Sequence, residues 1–112
     1  MTMIMTAHDN VGVVKMTGDF TADTVNDFRD RFKSWYEHAN FQNVIVDMAD
    51  VGFMDSTGLG TLMMVLKRIA ENEGEMYLCN LQPAPNLVVE ITRANLLLNV
   101  AMSFDDALKA AS

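Results

Sequence analysis

The chain has 112 residues, half of them apolar, and its 15 Asp and Glu outnumber eight Lys and Arg to give a net charge of −7. A chain of this length fits one domain, which buries roughly two-thirds of the unfolded surface without disulfides or metals. The negative charge disfavours nucleic acid and anionic membrane surfaces as partners and suits a protein with a basic face.

The first predicted element is a β-hairpin. Residues 3–6 and 11–16 read as two strands, and the His-Asp-Asn cluster at residues 8–10 between them is typical of a turn. Antiparallel pairing of the two strands is therefore expected, and the hairpin should form one side of a sheet.

A helix is predicted after the hairpin. Its apolar side recurs at spacings of three and four residues and consists of Val25, Phe28, Phe32 and Trp35. Thr21 or Asp23 is expected to cap its start, because a short side-chain oxygen accepts a hydrogen bond from the first turn. The opposite side is interpreted as a solvated face and carries Asp27, Asp30, Arg31 and Glu37.

Residues 44–48 form an apolar run without in/out alternation, which predicts a central parallel strand covered on both faces. A second helix follows. Its buried stripe is predicted to consist of Leu59, Leu62, Met63, Leu66, Ile69 and Ala70. Asp55, Ser56 and Thr57 stand at its start and are all residue types that cap helices, so the sequence does not distinguish which of them is the cap.

Two glycines lie in the first turn of this second helix. Gly58 and Gly60 each weaken a helix by about 1 kcal/mol relative to Ala, which indicates that something approaches the backbone closely. The combination of a strand, a short loop and an exposed helix N-terminus also favours an anion, because free N–H groups and the helix dipole point towards it.

Residues 75–79 predict the next strand, after a helix stop at Asn72 and Gly74. Cys79 lies on this strand among apolar neighbours and is interpreted as a small core residue. It is the only cysteine of the chain, so no internal disulfide forms and a reducing cytoplasm is expected. No apolar run approaches the roughly 20 residues that span a bilayer, and no secretory leader pattern is present.

The C-terminal residues predict two helices on either side of a strand. Pro83 and Pro85 suit the entry of the first helix. Its buried side is predicted to consist of Leu87, Val88 and Ile91. Residues 96–101 predict a short apolar strand, and Ser103 is expected to cap a closing helix. Helices and strands thus alternate, which predicts one α/β domain over residues 1–112.

An alternative role for Ser56 is that of a catalytic nucleophile. A serine hydrolase needs a base, and the chain has only two histidines, His8 and His38. Met54 stands where a G-x-S-x-G motif requires glycine, and no Gly-Lys-Ser/Thr ending supplies a phosphate-binding loop. The histidines have no companions at metal-ligand spacing. We therefore predict no catalytic residue, metal or cofactor, and interpret Asp47 at the end of the central strand as structural.

Residues 44–60, VIVDMADVGFMDSTGLG, resemble the signature of STAS domains, the bacterial anti-sigma factor antagonists. The similarity extends to Gly18, Gly74 and residues 103–108, so it covers nearly the whole chain. It implies a single STAS-like domain over residues 1–112, with a mixed, mostly parallel central sheet of about five strands, an N-terminal hairpin and about four α-helices.

The resemblance also implies a role for Ser56, which directly follows the motif residue Asp55. In that family this serine is phosphorylated by a serine kinase of the ATPase-like type that doubles as an anti-sigma factor. A PP2C-type serine phosphatase restores the unphosphorylated form. The implied protein is no enzyme: its unphosphorylated form engages the kinase and its phosphorylated form is released. Thr57 is the weaker candidate for the modified residue.

A partner-binding surface is expected around Ser56. It combines the loops that the resemblance brings to one end of the sheet with residues of the second helix that lie off its buried stripe. The expected members are Asp19, Phe20, Asp50, Gly52, Met54, Asp55, Ser56, Thr57, Gly58, Gly60, Thr61, Met64 and Arg68. Exposed methionine adapts its shape to a partner, although an isolated surface residue is the alternative interpretation of Met64.

Two other functions are compatible with the same fold. A STAS regulator can act through a kinase and phosphatase on an output other than a sigma factor, such as biofilm or surface behaviour, and only the identity of the partner separates it from an anti-sigma factor antagonist. A scaffold module is the second alternative, and in that case Ser56 is only a helix cap.

Overall fold

A mixed five-stranded sheet organises the protein, as a computed structural model of residues 1–39 and 41–112 describes it. The elements are β1 (Thr2–His8), β2 (Val11–Thr17), α1 (Val25–His38), β3 (Asn43–Asp50), α2 (Ser56–Glu71), β4 (Met76–Cys79), α3 (Pro83–Ile91), a 3-10 turn (Ala94–Leu96), β5 (Asn99–Ala101) and α4 (Phe104–Ala111). The strands lie in the order β1-β2-β3-β4-β5, with β1 antiparallel to β2 and the other pairs parallel. The predicted α/β architecture is confirmed.

Strand β3 lies at the centre of the sheet, and both of its faces are covered. Val44 and Val46 pack into a large apolar cluster with α1, α2 and α3, whereas Ile45 packs into a smaller cluster with Ala107 and Ala111 of α4. All three strand residues are fully buried. Burial on both faces explains why the sequence of β3 shows no in/out alternation.

The N-terminal hairpin and the burial of α1 largely follow the prediction. His8 pairs with Val11, so the turn consists of Asp9 and Asn10, with Asp9 in the left-handed conformation that Asp tolerates. The predicted cap of α1 is wrong, because neither Thr21 nor Asp23 directly precedes the helix. Thr24 does.

The side chain of Thr24 makes no capping hydrogen bond either. Its Oγ1 donates to the carbonyl oxygen of Asp19 at 2.9 Å and accepts from the Thr21 N–H at 3.0 Å, so it orders the preceding loop instead. On α1 the buried side includes Tyr36 in addition to the predicted phenylalanines, and Trp35 is only half-buried.

The buried face of α2 is rotated relative to the prediction. Leu59, Leu62 and Ile69 are buried as expected, but Ala70 is exposed and Thr61 is buried in its own right. The hydroxyl of Thr61 donates to the carbonyl oxygen of Thr57 at 2.9 Å, which satisfies its polar group inside the protein. Val65 completes this face, while Met63 and Leu66 are half-buried.

The end of α2 depends on the absence of a side chain at Gly74. Asn72 ends the helix, and Glu73 rather than Gly74 adopts the left-handed conformation. A Cβ atom on Gly74 would overlap the carbonyl oxygen of Gln42. Gly74 is therefore required for the close approach of this turn to the start of β3.

The C-terminal elements depart from the prediction mainly in α3. Pro85 and Val89 form its buried side, whereas the predicted Leu87 and Ile91 are 54% and 72% exposed. Strand β5 is shorter than predicted because residues 94–96 form the 3-10 turn. Ser103 caps α4 as predicted, since its Oγ accepts from the Asp106 N–H at 3.1 Å.

Cys79 is fully buried, as predicted for a small core residue. Burial is the main cause that raises the pKa of its thiol to about 12, with a smaller contribution from Asp47. Within the described part of the chain, no helix has both the length and the apolar character needed to cross a membrane.

Candidate functional site

Asp55 fixes the start of α2. Its Oδ1 accepts a hydrogen bond from the Gly58 N–H at 2.8 Å, which identifies it as the cap among the three candidates. Its Oδ2 accepts from the Ala22 N–H at 3.1 Å. The hydrogen bond from Gly58 is the largest cause that lowers the pKa of Asp55 below its usual value, so the carboxylate is ionised at neutral pH.

Ser56 and Thr57 are the first two residues of α2, and both are exposed. Because Asp55 makes the capping hydrogen bond, neither hydroxyl is needed to begin the helix. Ser56 therefore lies at the N-terminus of a 16-residue helix with a side chain that faces solvent. The helix dipole and the unpaired N–H groups of the first turn favour an anion there.

The loops after β2 and β3 converge at this end of the sheet, as expected. The Phe20 N–H donates to the carbonyl oxygen of Phe53 at 2.9 Å, and the Asp55 N–H donates to that of Phe20 at 3.3 Å. A parallel bridge joins Phe20 to Met54, and the side chains of both residues are fully buried. The two loops are thus held together directly beneath the start of α2.

The two glycines of the first turn differ in their surroundings. A Cβ atom on Gly58 would overlap the carbonyl oxygen of Phe20 and approach Met54 Cγ to 2.9 Å, so the close approach is made by the chain itself. A Cβ atom on Gly60 would have no neighbour within 4 Å, and Gly60 is exposed. The packing of the described residues requires a glycine at 58 but not at 60.

Four of the expected binding residues form one exposed row along α2. Ser56, Gly60, Met64 and Arg68 follow one another at intervals of four residues, and all are exposed. This row, the α2 ridge, extends for about 18 Å along the helix. Met64 lies in the middle part of the ridge, and its side chain is 50% exposed. At its end, Arg68 forms an ion pair of 3.6 Å with Glu37.

Four other members of the expected surface are buried, so they do not belong to its exposed part. They are Phe20, Met54, Gly58 and Thr61. These residues shape the surface from beneath. The members that are exposed are Asp19, Asp50, Gly52, Ser56, Thr57, Gly60, Met64 and Arg68, and Asp55 is half-buried.

Phe53 is a surface residue of this region that is not among the individually expected members, although it lies in the same loop. Its aromatic side chain is 50% exposed, between the exposed Gly52 and the buried Met54. Alternation along the chain does not predict this exposure, because Val51, two residues earlier, is fully buried. The exposure of Phe53 is therefore evident only in the folded chain.

The charges at this end of the sheet are mainly negative. Asp19, on the loop after β2, and Asp50, the last residue of β3, are exposed, and Asp55 adds a third carboxylate at the cap. Lys15 forms an ion pair of 3.7 Å with Asp50, but both side chains are about half exposed, so solvent screens the pair. An additional negative charge at Ser56 therefore meets like charges.

The two histidines lie at the other end of the sheet. His8 pairs with Val11 at the start of β2, and Val11 pairs with Asn43 at the start of β3. His38 ends α1, shortly before β3 begins. Ser56 follows the far end of β3, so neither histidine is placed to act as its base. Among residues 1–39 and 41–112, no cluster of three potential metal ligands occurs.

Asp47 has contacts that suit the structural role predicted for it. Its Oδ1 accepts hydrogen bonds from the Ala49 N–H at 3.0 Å and from Asn80 Nδ2 at 3.2 Å. These contacts link the ends of β3 and β4 below the loop that leads to Ser56.

Comparisons with known proteins agree with this architecture. A family model described as the STAS domain matches residues 2–107. The anti-sigma-B factor antagonist of Staphylococcus epidermidis is 28% identical over 93 residues, which cover 83% of this chain and 85% of that protein.

Solved structures show the same fold. A putative anti-sigma factor antagonist from Thermotoga maritima superposes with a TM-score of 0.89 at 15% identity, covering 97% of this chain and 93% of that one. The Bacillus cell fate determinant SpoIIAA in its phosphorylated form gives a TM-score of 0.74 at 16% identity, covering 99% and 100%. At these identities the likeness establishes the fold alone.

Proposed function

Since the chain belongs to the STAS domain family, we propose that it is an anti-sigma factor antagonist whose binding is controlled by phosphorylation of Ser56. The observation that carries the proposal is the capping of α2 by Asp55, which leaves the adjacent Ser56 hydroxyl exposed and without a capping role. The names of relatives such as the anti-sigma-B factor antagonist support the proposed class. The phosphorylated form of the neighbour SpoIIAA supports the proposed modification.

A phosphate on Ser56 is compatible with the fold. It carries a charge of about −1.5 to −2 at neutral pH, and it would stand at the N-terminus of α2, where the helix dipole and free N–H groups favour negative charge. The cap hydrogen bond of Asp55 does not involve the Ser56 side chain. The effect of the phosphate is therefore exerted at the binding surface and not on folding.

At the binding surface the same charge opposes association. Asp19, Asp50 and Asp55 already make this region acidic, and a contact that excludes water adds a desolvation cost for the phosphate. A hundredfold loss of affinity requires only about 2.7 kcal/mol. One phosphate at the edge of the α2 ridge is sufficient to supply that difference.

The proposed partner is a serine kinase of the ATPase-like type that is also an anti-sigma factor. It binds the unphosphorylated protein, transfers a phosphate from ATP to Ser56 and then releases the product. A PP2C-type serine phosphatase returns the protein to its binding form. The protein itself contributes a substrate hydroxyl and a docking surface and performs no catalysis, and the cycle takes place in the cytoplasm.

Capture of the kinase from a lysate of the source organism tests the proposal. The baits are the wild type, Ser56→Ala, Ser56→Asp and the matched control Ser34→Asp, which adds the same charge at an exposed serine of α1. Circular dichroism verifies that each bait is folded. We expect a kinase with the wild type, Ser56→Ala and Ser34→Asp, and its depletion with Ser56→Asp.

Because aspartate carries less charge than phosphate, the enzymatically phosphorylated protein is the decisive bait. Capture of the same kinase by folded phosphorylated and unphosphorylated protein in equal amounts would contradict the switch and leave Ser56 as a surface residue of a scaffold module. The identity of the captured kinase also decides whether the output is a sigma factor or another pathway.

A further inference from the structure

A groove of about 240 Å³ lies between α1 and α2. Its apolar lining includes the buried side chains of Phe32, Tyr36 and Val65, and the half-exposed Met64 stands beside them. The polar surface of the groove is small, so its interior is favourable to apolar side chains rather than to water. Met64 adapts readily to an inserted group, because its side chain is unbranched and polarisable.

Basic side chains stand on both sides of this groove. Arg29 and Lys33 line it from α1, and Arg68 lines it from α2. Three of the eight Lys and Arg of a chain with a net charge of −7 thus line one groove. Among the residues that the structure describes, no carboxylate lies within ion-pair distance of Arg29 or Lys33, since the two ion pairs found involve Lys15 and Arg68.

The ion pair of Arg68 with Glu37 competes only weakly with an incoming carboxylate. Its partner Glu37 is at 3.6 Å, and both side chains are nearly half exposed. Exposed pairs of this kind contribute about 0–1 kcal/mol, so an incoming carboxylate can replace Glu37 at little cost.

We propose that this α1–α2 groove is a docking site for an acidic amphipathic helix of a partner protein. The helix inserts one or two apolar side chains beside Met64 and places its carboxylates against the basic side chains on either side. Charge complementarity determines the class of partner, because an acidic segment is attracted here and repelled by most of the remaining surface. The proposal rests on the proposed function only in taking α2 as the helix that faces the partner.

The size of the groove favours a helix over a small molecule. Pockets that enclose drug-sized ligands have volumes of roughly 300–1,000 Å³, and the groove is smaller than that. A groove between two helices that accepts a few apolar anchors suits the recognition of an amphipathic helix. Met64 lies about 12 Å along α2 from Ser56, so one partner can contact both.

Fluorescence anisotropy with designed peptides tests the proposal. The probe is a labelled helical peptide with leucines along one face and glutamates on both sides of that face, and the control peptide has lysines in place of the glutamates. We expect the full-length chain to bind the glutamate peptide and not the lysine peptide, with an affinity that falls as salt is added. Nuclear magnetic resonance should place the shifted resonances on Phe32, Met64 and Val65.

Matched variants distinguish binding in the groove from attraction of the peptide by the net charge of the protein. Arg29→Glu combined with Lys33→Glu should weaken binding of the glutamate peptide about tenfold or more. Arg93→Glu combined with Lys109→Glu changes the net charge equally at exposed positions outside the groove and should have a much smaller effect. Met64→Ala should weaken binding, whereas Met102→Ala, at a methionine that is 89% exposed, should not.

Equal loss of affinity in the two charge-reversed double variants, equal binding of both peptides, or binding of neither would overturn the proposal. If the chain bound dodecanoate but neither peptide, the proposal would also be overturned, and the groove would be assigned to a small amphipathic anion. Ser56→Asp should bind the peptide as the wild type does. The peptide assay therefore gives its answer whether or not the phosphorylation switch exists.

Discussion

Asp55 and Ala22, which are 33 residues apart in the chain, are joined by a hydrogen bond of 3.1 Å from the Ala22 N–H to one carboxylate oxygen. The other oxygen of the same carboxylate caps α2 by accepting from the Gly58 N–H. One side chain thus begins the helix and also attaches the loop after β2 to it. The position of Ser56 relative to both loops depends on this double contact.

Replacement of Asp55 is expected to lower the stability of the protein. Asp55→Ala removes both hydrogen bonds and should lower the thermal midpoint by several degrees. Asp55→Asn should lower it less, because the amide oxygen can still accept from Gly58. Differential scanning calorimetry checks the order. Ser56→Ala and Thr57→Ala are the controls, and a larger loss in either of them would show that Asp55 is not the effective cap.

The stability of the protein should depend on pH through the same carboxylate. Its pKa in the folded protein lies below the ordinary value of 3.8, so ionised Asp55 stabilises the fold above that pH. The contribution is lost as the pH falls below 3.8 and through the lowered folded-state pKa. We expect the advantage of the wild type over Asp55→Asn in urea denaturation to shrink in that acidic range. A constant difference between the two down to pH 2 would refute the assignment.

The glycines at positions 58 and 60 should respond in opposite directions to replacement by alanine. Gly58→Ala places a Cβ atom against the carbonyl oxygen of Phe20 and should destabilise the protein by about 1–3 kcal/mol. Gly60→Ala meets no neighbour within 4 Å and should stabilise it by about 0.5–1 kcal/mol. Urea denaturation of both variants measures the signs, and a destabilised Gly60→Ala would contradict the assignment.

Binding by Gly60→Ala gives an independent test of the α2 ridge. If the backbone of the proposed kinase passes close to this helix at Gly60, the added methyl group should reduce capture of that kinase even though the variant is more stable. Ala70→Gly, a change of similar size at an exposed position of α2 outside the ridge, is the control. Undiminished capture by Gly60→Ala would remove Gly60 from the proposed surface.

Ser56→Asp should leave the fold intact. A negative charge in the first turn of a helix contributes about 0.3–1 kcal/mol at low salt, and the side chain faces solvent, so the free energy of unfolding should stay constant or rise slightly. The gain should disappear in high salt, whereas Ser34→Asp, four residues before the end of α1, should show no such gain. Marked destabilisation of Ser56→Asp would contradict the proposal that a phosphate at Ser56 acts at the binding surface and not on folding.

The sequence predicts those features of the fold that depend on neighbouring residues. The apolar run at residues 44–48 identifies the central strand because burial on both faces removes alternation, and Ser103 with Asp106 identifies the start of α4. The polarity of Thr61 predicts that it is exposed. It is buried instead, because its hydroxyl donates a hydrogen bond within its own helix. The apolar character of Leu87 predicts that it is buried, whereas α3 packs against the rest of the protein through Val89.

In the candidate site, too, the sequence predicts the features that depend on neighbouring residues and not those that depend on distant contacts. The sequence places Ser56 at a helix start, but it leaves three candidates for the cap because the choice depends on backbone dihedral angles. The difference between Gly58 and Gly60 arises from the carbonyl oxygen of Phe20, which reaches the helix from a distant loop. Contacts of this kind are formed only in the folded chain, so no local pattern reports them.

The placement of both histidines at the opposite end of the sheet from Ser56 has a consequence for the transfer of phosphate in the proposed cycle. His8 and His38 are the only two histidines in the chain, and neither lies where it could take the proton of the Ser56 hydroxyl. No imidazole of the substrate protein therefore takes part in the transfer, and in the proposed cycle the group that orients the hydroxyl and accepts its proton belongs to the kinase.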